Sequence, residues 1–405
     1  MPDIVQTPEV LRLLDELTRM PGRADPYPRY ARLREISPVV RAEDDALVVT
    51  GYADCATVVR DPRLQHLPAD MLAFAGFPDW REHPALHQLF TSMLTLNPPD
   101  HTRLRRLVSS AFTPRRVEAL RPAIERMVED LLDGLRGDVD FVASFALPLP
   151  VNVIGELLGV PAEQRVELRS LVRDWTQILE VITPDVLARA DPAAAAIRDQ
   201  LAELVELRRQ HPGDDLLSAL VQAQTADDRL TDEEVLSNAA LLFAAGFETT
   251  TNLLTNGVVA LLGHPSQYEA LGQRPELARP AVEELLRFDS PVQLSSRVVT
   301  APFELGGVTV GEGERVVAYL GAGNHDPARF TDPDRLLLDR ADNAPLSFGG
   351  GIHYCLGAPL ARLEAQIALP ALARRFPALT LTGEGQRRDS LSLKGYTSLR
   401  VHTGT

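Results

Sequence analysis

The sequence predicts a mainly α-helical protein with small β-sheets, an α+β fold that forms one domain over residues 1–405. Three observations favour this class. Most of the chain places apolar residues at the 3.6-residue spacing of amphipathic helices. The segments with strand character are few, short and concentrated at about residues 25–60 and 290–320. No Ser/Gly-rich linker divides the chain, and its 45% hydrophobic content can form a large core.

The predicted helices are marked by spacing and by capping residues. Residues 114–135 place apolar side chains at helical spacing, and the dipeptide Asp191-Pro192 has the capping residue and first-turn proline that open a helix. The longest helix begins at a capping box formed by Thr231 and Glu234 and runs to Leu262, where Gly-His-Pro ends it. About 30 residues at 1.5 Å each give a helix roughly 45 Å long.

The predicted strands are short runs of β-branched and aliphatic residues bounded by turn residues. They are residues 46–50, 296–300, 308–310 and 315–319. The least regular segments, 62–92 and 180–195, are candidates for mobile lids.

The composition excludes several classes of protein. The net charge of −15, from 56 acidic and 41 basic residues spread along the chain, argues against a nucleic-acid partner. Two cysteines, Cys55 and Cys355, are too few for a disulfide framework or a four-cysteine zinc site, and they fit a reducing compartment. The sequence has no signal-peptide pattern and no run of about 18 apolar residues. We therefore expect a soluble, cytoplasmic protein with no membrane partner.

The most informative segment is 346–369, LSFGGGIHYCLGAPLARLEAQIAL. The apolar periodicity from Leu356 onward predicts a helix that begins at about Cys355. The unpaired N–H groups and the positive dipole end of a helix N-terminus favour a thiolate over a thiol. Three successive glycines, 349–351, allow positive φ angles and the close approach of a flat ligand.

Three interpretations of this loop are open from its residues alone. A phosphate cradle would need a following Gly-Lys-Ser/Thr and a preceding strand, which are not evident. A Cys355 nucleophile with His353 as its base would need an orienting Asp or Asn and an oxyanion hole. The third is a thiolate ligand of a haem iron. For Cys55, in the helical pattern YADCATVVRD, structural packing is the simplest interpretation.

The order Phe-x-x-Gly-x-His-x-Cys-x-Gly in this loop resembles the haem-binding loop of the cytochrome P-450 family of haem-thiolate monooxygenases, in its soluble bacterial, actinomycete-like form. The resemblance extends over nearly the whole chain. It implies the cytochrome P-450 fold, a triangular single domain with haem b between the long central helix and the cysteine loop, and Cys355 as the axial iron ligand. The cofactor-binding residues implied in the loop are Phe348, Gly349, His353, Cys355 and Gly357.

A second motif, Ala-Gly-Phe-Glu-Thr-Thr at 245–250, interrupts the apolar run of the long helix. Taken alone it could be a surface-facing polar edge whose threonines bond to the preceding turn, or a point where the helix opens to admit dioxygen and water. It resembles the oxygen-activation segment of the same family. That resemblance implies that Thr249 hydrogen-bonds the activated oxygen, that Glu248 relays protons and that Ala245 lies beside the cofactor.

A third motif is Glu284-Leu-Leu-Arg287, an acid and a base three residues apart on one helical face. Such pairs are weak evidence in isolation. In its context the motif resembles the Glu-x-x-Arg helix of the family, which implies a structural lock for the cysteine-side core. Arg335 is the expected third member.

The two propionates of haem require cations from separate segments. His101 and Arg105 lie four apart on one predicted helical face, Arg297 lies on a predicted strand, and His353 precedes Cys355 by two residues. All four match propionate-binding positions of the family, with ordinary surface basicity as the alternative. Arginine suits carboxylate binding in a partly dry site.

The implied function is a haem-dependent monooxygenase that activates O2 and hydroxylates or epoxidises a mid-sized lipophilic substrate. A polyketide, macrolide or other secondary-metabolite intermediate is the first expectation, and terpenoids, fatty acids and xenobiotics are alternatives. Rivals of other classes are a non-catalytic haem protein that binds ligands and a cysteine hydrolase without haem. By the same likeness the substrate pocket would include Leu89, Met93, Leu241, Ala244, Val292, Leu294, Leu393 and Tyr396.

No flavin- or nicotinamide-binding segment is evident, so electrons are expected from NAD(P)H through a ferredoxin reductase and a ferredoxin. An acidic ferredoxin needs a local basic patch, for which Arg103, Arg106 and Arg362 are candidates. We expect a monomer.

Overall fold

The computed structural model describes residues 4–20, 22–73, 76–223 and 228–404. Residues 74 and 75, within the candidate lid 62–92, lie outside the described residues. The chain divides into two compact units. Unit 1 comprises Met1–Gln65, Val128–Leu147 and Thr249–Thr405, and unit 2 comprises His66–Met127 and Pro148–Glu248.

Helices dominate the described residues, as the sequence predicts. They are α1 (Pro8–Leu17), α2 (Tyr27–Ile36), α3 (Tyr52–Val58), α4 (Pro84–Phe90), α5 (Asp100–Ala111), α6 (Pro114–Ala119), α7 (Arg121–Gly134), α8 (Pro148–Leu158), α9 (Ala162–Trp175), α10 (Pro184–Gln210), α11 (Leu216–Val221), α12 (Asp232–Leu262), α13 (Pro265–Gln273), α14 (Ala278–Phe288), α15 (Leu320–Gly323) and α16 (Ala358–Arg375).

The strands are short. They are β1 (Val39–Arg41), β2 (Leu47–Val49), β3 (Leu64–Gln65), β4 (Asp138–Asp140), β5 (Leu294–Val299), β6 (Phe303–Leu305), β7 (Val308–Val310), β8 (Arg315–Tyr319), β9 (Thr380–Leu381), β10 (Gln386–Arg387), β11 (Tyr396–Ser398) and β12 (Arg400–His402). The predicted strands at 308–310 and 315–319 have the observed bounds, and those at 46–50 and 296–300 overlap β2 and β5.

The largest sheet lies in unit 1 and has the order β1-β2-β8-β5-β3. Strand β8 pairs in parallel with β2, with Val317 opposite Val48, and antiparallel with β5, with Val316 opposite Arg297. Smaller sheets join β4, β12 and β9, β10 with β11, and β6 with β7. A hydrophobic cluster that includes side chains of β1, β2, β5 and β8 packs around Cys55 on α3.

Cys55 is a packing residue, as predicted. Its side chain is buried, and Sγ lies 3.5 Å from the carbonyl oxygens of Val49 and Tyr319. Burial raises the pKa of this thiol, so it stays protonated at neutral pH.

Two helix boundaries differ from the prediction. The segment 114–135 is two helices, α6 and α7, separated at Leu120. Pro122 is the second residue of α7, and since proline lacks the N–H that would continue α6, the chain starts a new helix there.

The dipeptide Asp191-Pro192 does not open a helix but lies inside α10, which begins after Thr183. The Asp191 carboxylate instead accepts a hydrogen bond from the backbone N–H of Ala85, in the first turn of α4, at 3.0 Å. His83 lies 2.7 Å from its other oxygen. The capping signal was real, but Asp191 caps a different helix of unit 2.

The predicted start and end of the long helix are confirmed. The Thr231 N–H donates to Glu234 Oε2 at 2.8 Å, and the Glu234 N–H donates to Thr231 Oγ1 at 3.3 Å, which completes the capping box. The helix, α12, then runs to Leu262.

Within the described ranges no single helix is long and apolar enough to span a membrane; one bent pair, Val142–Leu158 with Ala162–Leu179 at 112°, meets the length and composition criteria together.

Candidate functional site

The cysteine loop of unit 1 ends in a helix that begins later than predicted. Cys355 follows a short 3-10 turn, Gly351–His353, and α16 begins only at Ala358, with Gly357 as its N-cap. The small N-cap residue and a proline in the first turn fix that start. The Cys355 N–H donates to the carbonyl oxygen of Phe348 at 3.0 Å, which closes the loop.

The three glycines of the loop serve different purposes. Gly349 and Gly351 have φ angles of +67° and +61°, which favour glycine. A Cβ at Gly351 would lie 2.8 Å from the carbonyl oxygen of Val59, and one at Gly350 would lie 2.9 Å from Arg60 Cγ. These two glycines therefore let the loop pack against the residues that follow α3. A Cβ at Gly349 would meet no described atom within 4 Å.

Hydrogen bonds hold the loop to the rest of unit 1. The Leu346 N–H donates to Asn324 Oδ1 at 2.7 Å, and Asn324 Nδ2 donates to Ser347 Oγ at 3.0 Å. Ser347 Oγ donates in turn to the carbonyl oxygen of Leu286, on α14, at 2.7 Å. The segment before the glycines is thus fixed to the helix that carries the Glu-x-x-Arg motif.

That motif forms a fully buried ion pair. Arg287 Nε and Nη2 donate to the two Glu284 oxygens at 2.8 and 2.9 Å, and both side chains are 0% exposed. Arg287 Nη1 also donates to the carbonyl oxygen of Asn324 at 3.0 Å. Because Asn324 also binds the cysteine loop, the ion pair helps to fix the position of that loop.

The third member of the network is Arg340, so the prediction of Arg335 is wrong. Arg340 Nε donates to Glu284 at 3.0 and 3.2 Å, and its side chain is 8% exposed. The Arg335 side chain is 68% exposed and pairs with Asp332. Arg335 contributes only its carbonyl oxygen, which accepts from Arg287 Nη2 at 3.1 Å and from Arg340 Nη2 at 3.0 Å.

Arg297, on β5, is a buried cation with no acidic partner in the described part of the chain. Its side chain donates to Ser295 Oγ and to the carbonyl oxygen of Ser296, both at 2.8 Å, and the residue is 5% exposed. No described carboxylate lies within ion-pair distance of it. Burial lowers the pKa of the guanidinium to about 10. A buried cation of this kind fits an anionic group supplied by a ligand.

The other predicted propionate residues lie in both units. His353 is partly exposed in the turn before Cys355, in unit 1. His101 and Arg105 lie on α5, in unit 2, where His101 is buried. The pKa of His101 is lowered to about 4, mainly by burial and to a smaller extent by the charge of Arg105. His101 is therefore neutral at pH 7 in the structure.

The Ala-Gly-Phe-Glu-Thr-Thr motif lies within α12, which stays helical throughout, so the expected opening of the helix is not observed. A Cβ at Gly246 would lie 2.7 Å from Ile154 Cγ1, so this glycine allows α8 and α12 to pack closely within unit 2. Glu248 is 6% exposed, which contradicts a surface-facing polar edge. Ala245 is exposed and Thr249 is partly exposed.

In unit 1 the structure brings together Val292 and Leu393, two of the predicted pocket residues. They form an antiparallel bridge, and the Gln293 N–H donates to the carbonyl oxygen of Ser392 at 2.8 Å. Leu294 begins β5 and is partly exposed. Tyr396 is buried in the β10–β11 hairpin, where the Arg387 guanidinium lies 4.1 Å from the centre of its ring.

The predicted pocket residues of unit 2 are all buried. They are Leu89, Met93, Leu241 and Ala244. Asn238 and Ser237 on α12 tie the segment after α4 to that helix: the Met93 N–H donates to Asn238 Oδ1 at 3.1 Å, and Thr91 Oγ1 lies 2.9 Å from Ser237 Oγ. The sequence analysis did not identify these hydrogen bonds. The available signal was the presence of two polar residues, Ser237 and Asn238, within an apolar helix.

The three candidate arginines of a ferredoxin patch are all engaged by acids. Arg103 pairs with Asp228 and Glu234, and Arg106 pairs with Asp228, in unit 2. Arg362 donates to both oxygens of Glu283 at 2.6 and 3.0 Å, in unit 1. Each of the three arginines therefore has its charge offset by an acidic neighbour. Arg60, beside Gly350, is exposed and has no ion pair with any described residue.

The donor set indicates what the site holds. Unit 1 contains a cysteine in a glycine-rich loop, Cys355, and a buried cation, Arg297. These two groups suit a cofactor that presents a metal to one soft ligand and carries acidic substituents, and haem has both properties. The site therefore has the chemistry of the haem-thiolate class.

Comparisons with known proteins agree. The profile of the cytochrome P450 family matches residues 169–397. The chain is 42% identical over 395 residues to 6-deoxyerythronolide B hydroxylase of Saccharopolyspora erythraea, covering 93% of this chain and 96% of that protein. It is 42% identical over 373 residues to cytochrome P450 monooxygenase PikC of Streptomyces venezuelae, covering 88% and 85%.

A solved structure, the Bacillus subtilis 168 bacillaene polyketide synthase cytochrome P450 PksS, matches with a TM-score of 0.86 at 36% identity, covering 96% of this chain and 99% of that one. The chain belongs to the cytochrome P450 family. It is a cytochrome P450 monooxygenase, which confirms the family, the fold and the reaction class predicted from the sequence. The family implies haem with a cysteine thiolate ligand, O2 as co-substrate and separate redox partners.

Proposed function

We propose that this monooxygenase hydroxylates or epoxidises a mid-sized polyketide or macrolide intermediate, with haem b as cofactor and Cys355 as the axial ligand. The observation that carries the haem assignment is the buried Arg297, whose charge has no acidic partner among the described residues. The substrate class rests on the similarity to 6-deoxyerythronolide B hydroxylase and to the polyketide synthase cytochrome P450 PksS.

The proposed cofactor-binding residues come from both units. The Cys355 thiolate would bind the iron, and Arg297 and His353 of unit 1 would bind propionate oxygens, as would His101 and Arg105 of unit 2. Bound haem supplies reductive activation of dioxygen, which thiolate electron density favours.

We expect the Ala-Gly-Phe-Glu-Thr-Thr motif of α12 to deliver protons. Thr249 is partly exposed, so its hydroxyl can donate a hydrogen bond to a ligand. Glu248, at 6% exposure, can carry a proton through a region that bulk water does not reach freely. Together they would deliver the two protons that allow one oxygen atom to leave as water.

For the electron supply we propose a ferredoxin and its reductase, in the cytoplasm where NAD(P)H is available, and a monomeric enzyme. Arg60 is a candidate contact for an acidic ferredoxin, because it is exposed beside the cysteine loop and forms no ion pair with the residues that the structure describes. Arg60→Glu should raise the ferredoxin dissociation constant, with a defect that is largest at low salt. Arg362→Met, which removes a cation already paired with Glu283, is the comparison variant.

The substrate class is tested by incubating the enzyme with ferredoxin, reductase and NADPH under 18O2, with macrolide aglycones, linear polyketides, fatty acids and terpenoids as substrates. We expect one 18O atom in products of the macrolide or linear polyketide group, detected by mass spectrometry. Products confined to fatty acids or terpenoids would contradict the proposed substrate class.

A further inference from the structure

Lys394 is the only lysine in the chain, and its side chain is buried in unit 1. Its Nζ donates to both carboxylate oxygens of Asp289, the C-cap residue of α14, at 2.6 and 2.8 Å. Tyr27 Oη donates to the same carboxylate at 2.6 Å. Burial alone would raise the pKa of Asp289, but the charge of Lys394 and these hydrogen bonds hold it below its ordinary value. The amine and carboxylate thus form a closed internal ion pair.

The backbone of Lys394 is held as firmly as its side chain. Its N–H donates to the carbonyl oxygen of Pro291 at 2.9 Å. Its carbonyl oxygen accepts from Asn256 Nδ2, on α12, at 3.0 Å, and the same amide group lies 3.3 Å from the carbonyl oxygen of Asp289. Lys394 therefore joins three segments: the end of α14, the residues that lead into β5, and the C-terminal half of α12.

The residues on either side of Lys394 contact other segments of unit 1, and one of them, Leu393, is a predicted pocket residue. Leu393 forms the bridge to Val292, so both are placed by the contacts of Lys394. On the other side, a Cβ at Gly395 would lie 2.0 Å from Asn252 Oδ1. Asn252 lies three residues after Thr249 on the same helix, so the loop rests against the turn that follows the proposed oxygen-activation residue.

We propose that Lys394 is a positioning residue for ligand recognition. Its ion pair with Asp289 fixes where Leu393 and Val292 lie relative to the turn of α12 that follows Thr249. This inference rests on the proposed function, because it assigns Leu393 and Val292 to the substrate pocket. Lys394 touches no reacting atom in this account. It acts through the loop, and it should determine which bulky ligands bind and which carbon they present.

An ion pair suits this role better than apolar packing does. A buried charge pair adds little net stability compared with apolar side chains of similar size, but it is directional and its geometry is specific. A methionine at position 394 would fill similar space but could not pair with Asp289, so the loop would lose its fixed register. The cysteine loop would keep its hydrogen bonds to Asn324 and to the carbonyl oxygen of Leu286.

The test uses the haem-loaded enzyme and two azole probes, imidazole and the bulky econazole, whose binding is followed by the shift of the Soret band. Lys394→Met should raise the dissociation constant of econazole at least tenfold and leave that of imidazole within twofold. Asp289→Asn with Lys394→Gln, which restores a neutral hydrogen-bonding pair, should recover most of the econazole affinity.

A second measurement needs no variant. Because the chain has one lysine, 13C-labelled lysine gives a single side-chain resonance in the wild-type enzyme. We expect econazole to shift this resonance and imidazole to leave it in place. If both azoles bind the wild type but Lys394→Met binds them unchanged and neither shifts the resonance, the inference about Lys394 is wrong. If the wild-type enzyme binds no azole at its haem, the proposed function itself fails.

Discussion

Arg297 offers the sharpest test of the proposed haem site, because two opposite effects are expected from one substitution. Its guanidinium is buried and has no acidic partner among the residues that the structure describes, and we propose that it binds a haem propionate. Arg297→Met removes the charge and keeps much of the apolar stem. The haem-free protein should become more stable, whereas the haem-loaded protein should lose its cofactor faster.

The magnitude follows from the cost of burial. Burial lowers the pKa of Arg297 to about 10. The ordinary pKa of arginine is about 12.5, and a pKa difference of one corresponds to about 1.4 kcal/mol. The unpaired charge of Arg297 therefore destabilises the haem-free protein by roughly 3 kcal/mol at neutral pH. A propionate that pairs with the charge can recover energy of that order. We therefore expect Arg297→Met to weaken haem retention by about 100-fold, since tenfold corresponds to about 1.4 kcal/mol.

The assay is transfer of haem from the enzyme to an excess of apomyoglobin, with urea unfolding of the haem-free protein as the second measurement. Arg315→Met is the matched control, because Arg315 lies on the neighbouring strand β8 with an exposed side chain paired to Asp44. That variant should change neither quantity beyond about 0.5 kcal/mol. If Arg297→Met destabilises the haem-free protein and leaves haem transfer unchanged, Arg297 is a structural residue and our reasoning is refuted.

Three further predictions concern other parts of the two units. Arg340→Met should lower the free energy of unfolding by about 3 kcal/mol in urea titrations, because it leaves Glu284 with one of its two buried cations. Arg335→Met, at an exposed position, should change the free energy of unfolding by less than about 0.5 kcal/mol, and equal effects of the two variants would argue against the observed network. The pKa of His101 is about 4 in the folded protein and near 6.5 in an unfolded chain, so the unfolded state binds more protons between these values. The haem-free protein should therefore lose stability as the pH falls from 6.5 to 4. His101→Gln should flatten that pH dependence of the free energy of unfolding, and an unchanged slope would count against the buried neutral imidazole. Thr249→Ala should keep haem but divert NADPH-derived electrons to hydrogen peroxide, whereas Thr250→Ala, on the next residue, should not; unchanged coupling in the first variant would remove Thr249 from the proton path.

Local signals predicted the fold well where a few neighbouring residues determine the structure. The capping box of Thr231 and Glu234 and the stop after Leu262 predicted both ends of α12, and three strands of the largest sheet, β2, β5 and β8, were recognisable from their β-branched runs, whereas β1 and β3 were not predicted. Asp191 shows the limit of such signals. Its side chain has the chemistry of a helix cap, but only the tertiary structure decides that the capped helix is α4.

The candidate site shows the same division. The order of residues around Cys355 and the Glu284–Arg287 spacing are local and were predictable. The choice between Arg335 and Arg340 was not, because both follow α14 at similar distances along the chain and only the folding of that segment points one of them at Glu284. Lys394 had a compositional signal, as the single lysine among 41 basic residues, but its partner lies 105 positions away and no local pattern connects them.

The central claim is that Cys355 binds haem iron as a thiolate. Its most direct test is the absorption spectrum of the dithionite-reduced protein under carbon monoxide, recorded for the wild type, Cys355→Ser and Cys55→Ser. The wild type and Cys55→Ser, which alters only a buried packing cysteine, should share a strongly red-shifted Soret band that Cys355→Ser lacks. A band retained in Cys355→Ser, or no haem at all in wild-type protein expressed with ample haem, would contradict the claim.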